Sequence, residues 1–292
     1  MHKLIQEMVQ FGPIVSDGAW GTQLQLRGLG VGQSPDEWNL TCPDKVEEVA
    51  KAYVDAGSDI VLTNTFGSNR FVLAKHDLGD RVAGVNKAGV ELSRRAAGKK
   101  VRVFASIGPT GIMLMMGEVT PDELKASFAE QAEAIAEAGA DGIVIETMSD
   151  PTEAAFAVSA ASETGLPVVA CMVFDSGANK DRTMMGTTPE QAAETLTEAG
   201  ADVIGSNCGQ GIAGFISICE RLRSATDRPI WIKANAGLPE VVDGRTVYKQ
   251  TPEDFADFVP RLIEAGANFI GGCCGTTPEF ITAVKKRIKS RN

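Results

Sequence analysis

Short apolar runs rich in Val, Ile and Ala alternate along the chain with longer amphipathic stretches, and the alternation continues from one end to the other. The runs fall at 13–16, 59–63, 101–106, 141–146, 167–174, 202–207, 229–234 and 268–272, eight in all. They lack the strict apolar–polar alternation of a half-buried strand, so they read as parallel strands covered on both faces. Two phrases punctuate the pattern. Ala56-Gly57-Ser58-Asp59, Ala138-Gly139-Ala140-Asp141, Ala199-Gly200-Ala201-Asp202 and Ala265-Gly266-Ala267-Asn268 each place a glycine where a helix ends just before a strand. Thr120-Pro121-Asp122-Glu123, Thr188-Pro189-Glu190-Gln191, Thr251-Pro252-Glu253-Asp254 and Thr277-Pro278-Glu279-Phe280 each combine an N-cap threonine, a proline in the first turn and nearby acids, the start of a helix. Glu123 and Gln191 are placed to complete capping boxes.

Strands alternating with helices through short connections build right-handed βαβ units and a parallel sheet. Eight units predict an α/β fold, a single (β/α)8 TIM barrel forming one domain over 1–292. The alternative, an open doubly wound sheet, lacks support from a dinucleotide fingerprint, because Gly18-Ala19-Trp20-Gly21 after the first run is not one.

Composition narrows the function classes. A net charge of -10 argues against a nucleic-acid partner, whose phosphates call for basic patches. No run approaches the roughly 20 apolar residues of a membrane span. Residues 1–10 are amphipathic without the pattern of a secretion signal, so the expectation is a cytoplasmic protein whose 6 cysteines stay reduced. Of these, Cys42, Cys171 and Cys219 read as packing residues. The 2 histidines, His2 and His76, lie away from the strand ends, which leaves no evident histidine ligand or base.

In a barrel the chemistry gathers at the C-terminal strand ends. Those ends carry Asp17, Asn64, Thr65, Ser106, Glu146, Cys208, Asn235, Cys273 and Cys274. Vicinal cysteines sometimes only fill space. Here a third cysteine, in Asn207-Cys208-Gly209, occupies a matching position two strands away, and three thiolates describe a zinc site with one position open. Asn235 is a candidate for that position, or a purely hydrogen-bonding amide. Asp17 and Glu146, with no cation beside them in sequence, suit a substrate ammonium, while the Gly18 and Ala19 amides suit a carboxylate. The blander reading is a loop-capping Asp and a solvated Glu. Together the strand ends describe an amino-acid site beside a thiophilic metal.

The stretches Asp17-Gly18-Ala19-Trp20-Gly21-Thr22, Thr63-Asn64-Thr65-Phe66, Gly108-Pro109-Thr110, Ile145-Glu146-Thr147, Asn207-Cys208, Asn235-Ala236-Gly237-Leu238-Pro239 and Gly272-Cys273-Cys274-Gly275-Thr276-Thr277-Pro278 span nearly the whole chain. With them the chain resembles the homocysteine S-methyltransferase family, most nearly the homocysteine-binding module of cobalamin-dependent methionine synthase. The resemblance implies Zn2+ on Cys208, Cys273 and Cys274. It also implies the homocysteine ammonium on Asp17 and Glu146, the carboxylate near Gly18 and Ala19, and methionine as product. Ala19 departs from the second glycine frequent in the family, and Cys208-Gly209-Gln210-Gly211 lies in a loop that varies among members.

No folate, corrinoid or reactivation module fits within 292 residues. Because Asn235-Ala236-Gly237-Leu238-Pro239 and Cys274-Gly275-Thr276-Thr277-Pro278 look closer to the corrinoid-dependent branch of the family, the expected methyl donor is a methylated corrinoid protein, carrying methylcobalamin or a relative, supplied in trans. The alternative is a small onium compound such as S-methylmethionine or betaine. Trp20, Phe66, Phe71 and the methionine-rich stretch 113–116 are candidate donor contacts, with plain packing as the alternative. A reading from another class is a non-catalytic zinc-thiolate redox or metal sensor.

Overall fold

The computed structural model describes residues 1–242 and 245–290. In chain order the strands are β1 (Ile14–Val15), β2 (Ile60–Leu62), β3 (Arg102–Ile107), β4 (Gly142–Met148), β5 (Val168–Met172), β6 (Val203–Gly211), β7 (Ile230–Asn235), β8 (Glu240–Val242), β9 (Arg245–Val247) and β10 (Ala267–Gly272). Eight of them form one sheet in the order β1-β10-β7-β6-β5-β4-β3-β2, every pair parallel. This is the expected TIM barrel, nearly closed, with helices such as Pro43–Asp55, Val82–Ala97 and Pro121–Glu137 outside it. The additional pair, β8 and β9, makes an antiparallel hairpin after β7 that the strand reading did not include.

The repeated phrases acquire physical roles. Asp59 Oδ2 accepts from Val15 N–H at 2.9 Å, Asp141 Oδ2 from Val103 N–H at 2.8 Å, Asp202 Oδ2 from Val168 N–H at 3.1 Å and Asn268 Oδ1 from Ile230 N–H at 2.9 Å. Each side chain at the head of one strand thus satisfies an amide at the head of the strand before it in sequence, where the ladder offers no partner. Lys285 pairs with Asp59 and Arg94 with Asp141 at the rim. At the other set of termini, Thr120 with Glu123 and Thr188 with Gln191 form the expected capping boxes.

Inward positions alternate along each strand and so stack into layers. The lower layer is apolar: Trp231 stacks on Phe104 at 6.4 Å between centroids and meets Phe269 at 5.2 Å. Beneath it Ile5, on the helix Lys3–Val9, joins the same cluster and plugs the barrel. A Cβ on Gly205 would lie 2.3 Å from Trp231 O and 2.8 Å from Cys171 Sγ, so that glycine is what lets the β7 backbone and Cys171 pack against β6. Cys171 and Cys219 are buried and Cys42 half-buried, as packing residues. Among the described residues no helix is long and apolar enough to cross a membrane.

The edges β1 and β2 are joined by other means than a strand ladder. Asp59 N–H donates to Val15 O at 2.7 Å, and nearer the mouth Leu62 N–H donates to Asp17 Oδ2 at 2.8 Å. The loop after β2 is pinned in turn by buried Asp36, which accepts from Gly67 N–H at 3.0 Å and Ser68 Oγ–H at 2.6 Å. Burial raises the Asp36 carboxyl to about 6, against the lowering effect of those bonds.

Two expectations follow from these ties. Asp59→Ala leaves a buried Val15 amide unpaired, a loss of about 1–3 kcal/mol, and should lower the thermal midpoint by roughly 2–10 °C; a midpoint unchanged within a degree contradicts the role given to the strand-head acids. Asp36 binds its proton more tightly folded than unfolded, so its contribution favours folding at low pH and is lost as pH rises from about 4 through about 6. The loss is about 3 kcal/mol. Urea unfolding of the protein and of Asp36→Asn across that window should show this decline only with the aspartate present.

Candidate functional site

Three thiols meet at the mouth of the barrel. Cys208 lies in β6, where pairing with β7 shifts register between Asn207 and Gly211, and its backbone is left-handed at φ 61°. Cys273 and Cys274 follow β10 in a turn laid across the end of β7: Cys273 N–H donates to Ala234 O at 2.7 Å, and Ala236 N–H donates to Cys274 O at 3.0 Å. Tyr248 covers this turn so closely that a Cβ on Gly275 would lie 2.2 Å from its ring. Its hydroxyl also bonds the Cys274 sulfur.

The three Sγ atoms lie within 4.8 Å of one another, and Cys208 and Cys274 are 3.9 Å apart. Sulfurs bound tetrahedrally at about 2.3 Å from one zinc stand about 3.8 Å apart. Hydrogen bonds from Cys273 and Cys274 pull the Cys208 thiol far below its ordinary range despite burial, and the same bonds push Cys273 up. The cluster as a whole therefore gives up its first proton more readily than a lone thiol would. Asn235 also bonds the Cys208 sulfur, and its Oδ1 is buried without a partner. Three sulfurs and an orphaned oxygen beside them are a donor set that fits a thiophilic divalent cation.

Below the thiols lies a charged layer. The cation that Asp17 lacks beside it in sequence comes from across the barrel: Lys233 Nζ is 2.6 Å from Asp17 Oδ1, with both side chains buried. Asp17 Oδ2 accepts from Leu62 N–H and from the Trp20 indole, each at 2.8 Å. Three of the carboxylate's roughly four acceptor directions are thus taken. Burial opposes the Lys233 charge, but Asp17 and Glu146 outweigh it and hold the ammonium protonated. A lysine within Ile230–Asn235, an otherwise apolar strand, was the sequence signal for a buried partner. Gly271, opposite Lys233 on β10, leaves room chiefly for β1 and the residues after it, since a Cβ there would lie 2.0 Å from Ser16 Oγ and 2.7 Å from Asp17 O.

Glu146 is the more available acid. It is 9% exposed, accepts from Ser106 Oγ–H at 2.5 Å through Oε1, and faces Asn207 Nδ2 at 3.5 Å through Oε2. Burial raises its pKa, while Lys233 and Ser106 oppose the rise. The carboxylate reading of Ala19 is corrected, because its N–H already donates to Thr276 Oγ1 at 3.1 Å. The Gly18 amide is left as the candidate donor. A Cβ on Gly18 would come within 2.8 Å of Thr276 and Tyr53, so only glycine fits.

Asn64 and Thr65 are spent on the scaffold rather than turned to the thiols. Asn64 Nδ2 donates to Pro35 O at 2.7 Å and Thr65 Oγ1 to Ser106 O at 2.7 Å. Asn207, which the sequence reading used only to locate Cys208, touches Glu146, Thr147 and Cys273.

The model of a family described as homocysteine S-methyltransferase matches residues 14–288. Methionine synthase of Mycobacterium tuberculosis (strain ATCC 25618 / H37Rv) is 31% identical over 290 residues, 93% of this chain. Methionine synthase of Mycobacterium leprae (strain TN) is 30% identical over 298 residues, 96% of this chain. The chain spans 24% of the length of each of these relatives. The solved homocysteine methyltransferase MmuM from Escherichia coli, in its metallated form, has a TM-score of 0.81 at 23% identity over 98% of this chain and 100% of that one, a likeness of fold. On the extent of the family match, this chain belongs to the homocysteine S-methyltransferase family.

Proposed function

We propose that this chain transfers a methyl group to the sulfur of homocysteine, giving methionine, with a zinc ion held by Cys208, Cys273 and Cys274. The observation that carries the reading is the convergence of three sulfurs within 4.8 Å near a buried carboxylate, Glu146. Zinc bound by these residues supplies a deprotonated, oriented thiol at neutral pH, which replaces a general base.

The remaining groups belong to the chain itself. Glu146 receives the substrate ammonium, with Ser106 fixing the carboxylate from behind. Asp17 contributes its one remaining acceptor direction and, through Lys233, keeps the floor of the pocket rigid. The Gly18 amide receives the substrate carboxylate. Asn235 borders the sulfurs with its unpaired Oδ1, an available donor to the cation when no substrate is present. Neither histidine takes part: His2 caps the helix Lys3–Val9 through Nδ1, at the far end of the barrel.

The methyl donor in this reading is a methylated corrinoid protein supplied in trans. The loops around the mouth support it, for Phe66, Met113, Met116, Met184, Met185 and Leu238 are exposed there. Flexible methionines suit an adaptable protein contact. Direct transfer from a small onium donor is the second reading, favoured by the exposed Phe66 ring beside Gly108. A zinc-thiolate sensor would have no use for Glu146.

Metal-loaded protein given homocysteine with methylcobalamin, S-methylmethionine or betaine should form methionine with the first. Activity with an onium compound alone selects the second reading. Cys273→Ser should lose zinc and methionine formation together, whereas full-rate turnover by chelator-treated, metal-free protein overturns the proposal. Glu146→Gln should raise the homocysteine KM by about tenfold to a hundredfold with a smaller change in kcat, from loss of a charge-assisted bond worth about 1.5–3 kcal/mol.

A further inference from the structure

Two strands leave their ladders at the mouth. Pairing of β4 with β5 shifts register between Ile145 and Met148, and pairing of β6 with β7 shifts between Asn207 and Gly211. At each break one non-glycine residue adopts the left-handed region, Thr147 at φ 63° and Cys208 at φ 61°. A β-branched residue rarely sits there unless its surroundings hold it. Bulges of this kind re-aim side chains beside functional sites. β5 separates the two strands in the sheet, yet their breaks are joined by one fully buried side chain. Asn207 Oδ1 accepts from Thr147 N–H at 2.7 Å, and Nδ2 donates to Thr147 Oγ1 at 2.8 Å. The same Nδ2 faces Glu146 Oε2 at 3.5 Å and Cys273 Sγ at 3.8 Å.

We propose that Asn207 is a positioning residue that sets the spacing between the amino-acid-binding carboxylate and the thiol cluster, and so selects a substrate by the length between its ammonium and its sulfur. This rests on the functional reading above. The amide holds Thr147 in the turn that directs Glu146, while its N–H faces the sulfur of Cys273 and its backbone leads into Cys208. One rigid planar group therefore spans the two ends of the pocket. On this proposal an amino acid with two methylenes before its sulfur is the one matched to that span, and cysteine, one methylene shorter, is the one discriminated against. Relaxing the span should reduce the difference between them more than it disturbs the fold.

The test uses the full chain loaded with cobalt(II), whose sulfur-to-metal absorption reports on the thiols without turnover. Unmodified protein, Asn207→Ala and Asn207→Asp are compared first without substrate, then titrated with homocysteine and with cysteine. Both variants should shift the absorption band. Both should also bind homocysteine about tenfold more weakly and lose most of its preference over cysteine. If the alanine variant does not fold, Asn207→Asp decides, because it keeps the acceptor for Thr147 N–H and loses the donors. Folded variants with an unaltered band and an unaltered preference overturn the proposal. Unmodified protein that takes up cobalt but not homocysteine refutes the functional reading; the band shift then still supports the link from Asn207 to the thiols, and its absence refutes that link. Failure of the unmodified protein to take up cobalt on its thiols overturns both.

Discussion

The buried pair of Asp17 and Lys233 is the interaction on which the rest of this barrel depends. Removing both charges from water is costly, and their attraction offsets the cost only when the remaining hydrogen-bonding capacity is satisfied. Here Leu62 N–H and the Trp20 indole complete Asp17, and the first of these bonds helps to close the gap between β1 and β2. The same residue thus joins the two edges of the sheet and forms the floor of the pocket. Lys233 places a positive charge close enough to Glu146 and Cys273 to interact with both.

Above and below that pair the interior is sorted by polarity. Trp231, Lys233 and Asn235 occupy successive inward positions of β7 and serve in turn as packing, counter-charge and thiol neighbour. β10 follows the same order with Phe269, Gly271 and then Cys273 beyond its end. The aromatic layer and Ile5 of the helix Lys3–Val9 fill the lower barrel with apolar side chains, on which the polar groups above are built. Among the described residues, the two left-handed non-glycine residues within barrel strands, Thr147 and Cys208, both lie at register shifts near the mouth.

Much of this was readable in the chain. Each of the eight apolar runs became a barrel strand within a few residues, because strands buried on both faces leave a continuous apolar signature. The capping boxes at Thr120 and Thr188 formed as spaced, since capping is local. The hairpin of β8 and β9 also has a sequence signal, the dipeptide Asp243-Gly244 between valine-rich segments, which the stronger βα rhythm obscures. The lysine in β7 was absorbed into an apolar run, although a charge in such a run demands a partner.

By itself, then, the sequence determined the eight strands, the helix starts, the barrel and the three thiols at its mouth, because period, capping and strand-end position are properties of neighbouring residues. Only the tertiary structure decided what each polar side chain faces. Asp17 meets Lys233 across 216 positions, and Asn207 meets Cys273 across 66 and Thr147 across 60. These pairings exist because closing the ring brings distant strand ends to one rim, and no local pattern records which of them will touch. Hence Asp17 looked free, Ala19 looked like an open amide, and Asn207 looked like a mere neighbour of a cysteine, until ring closure assigned each its partner.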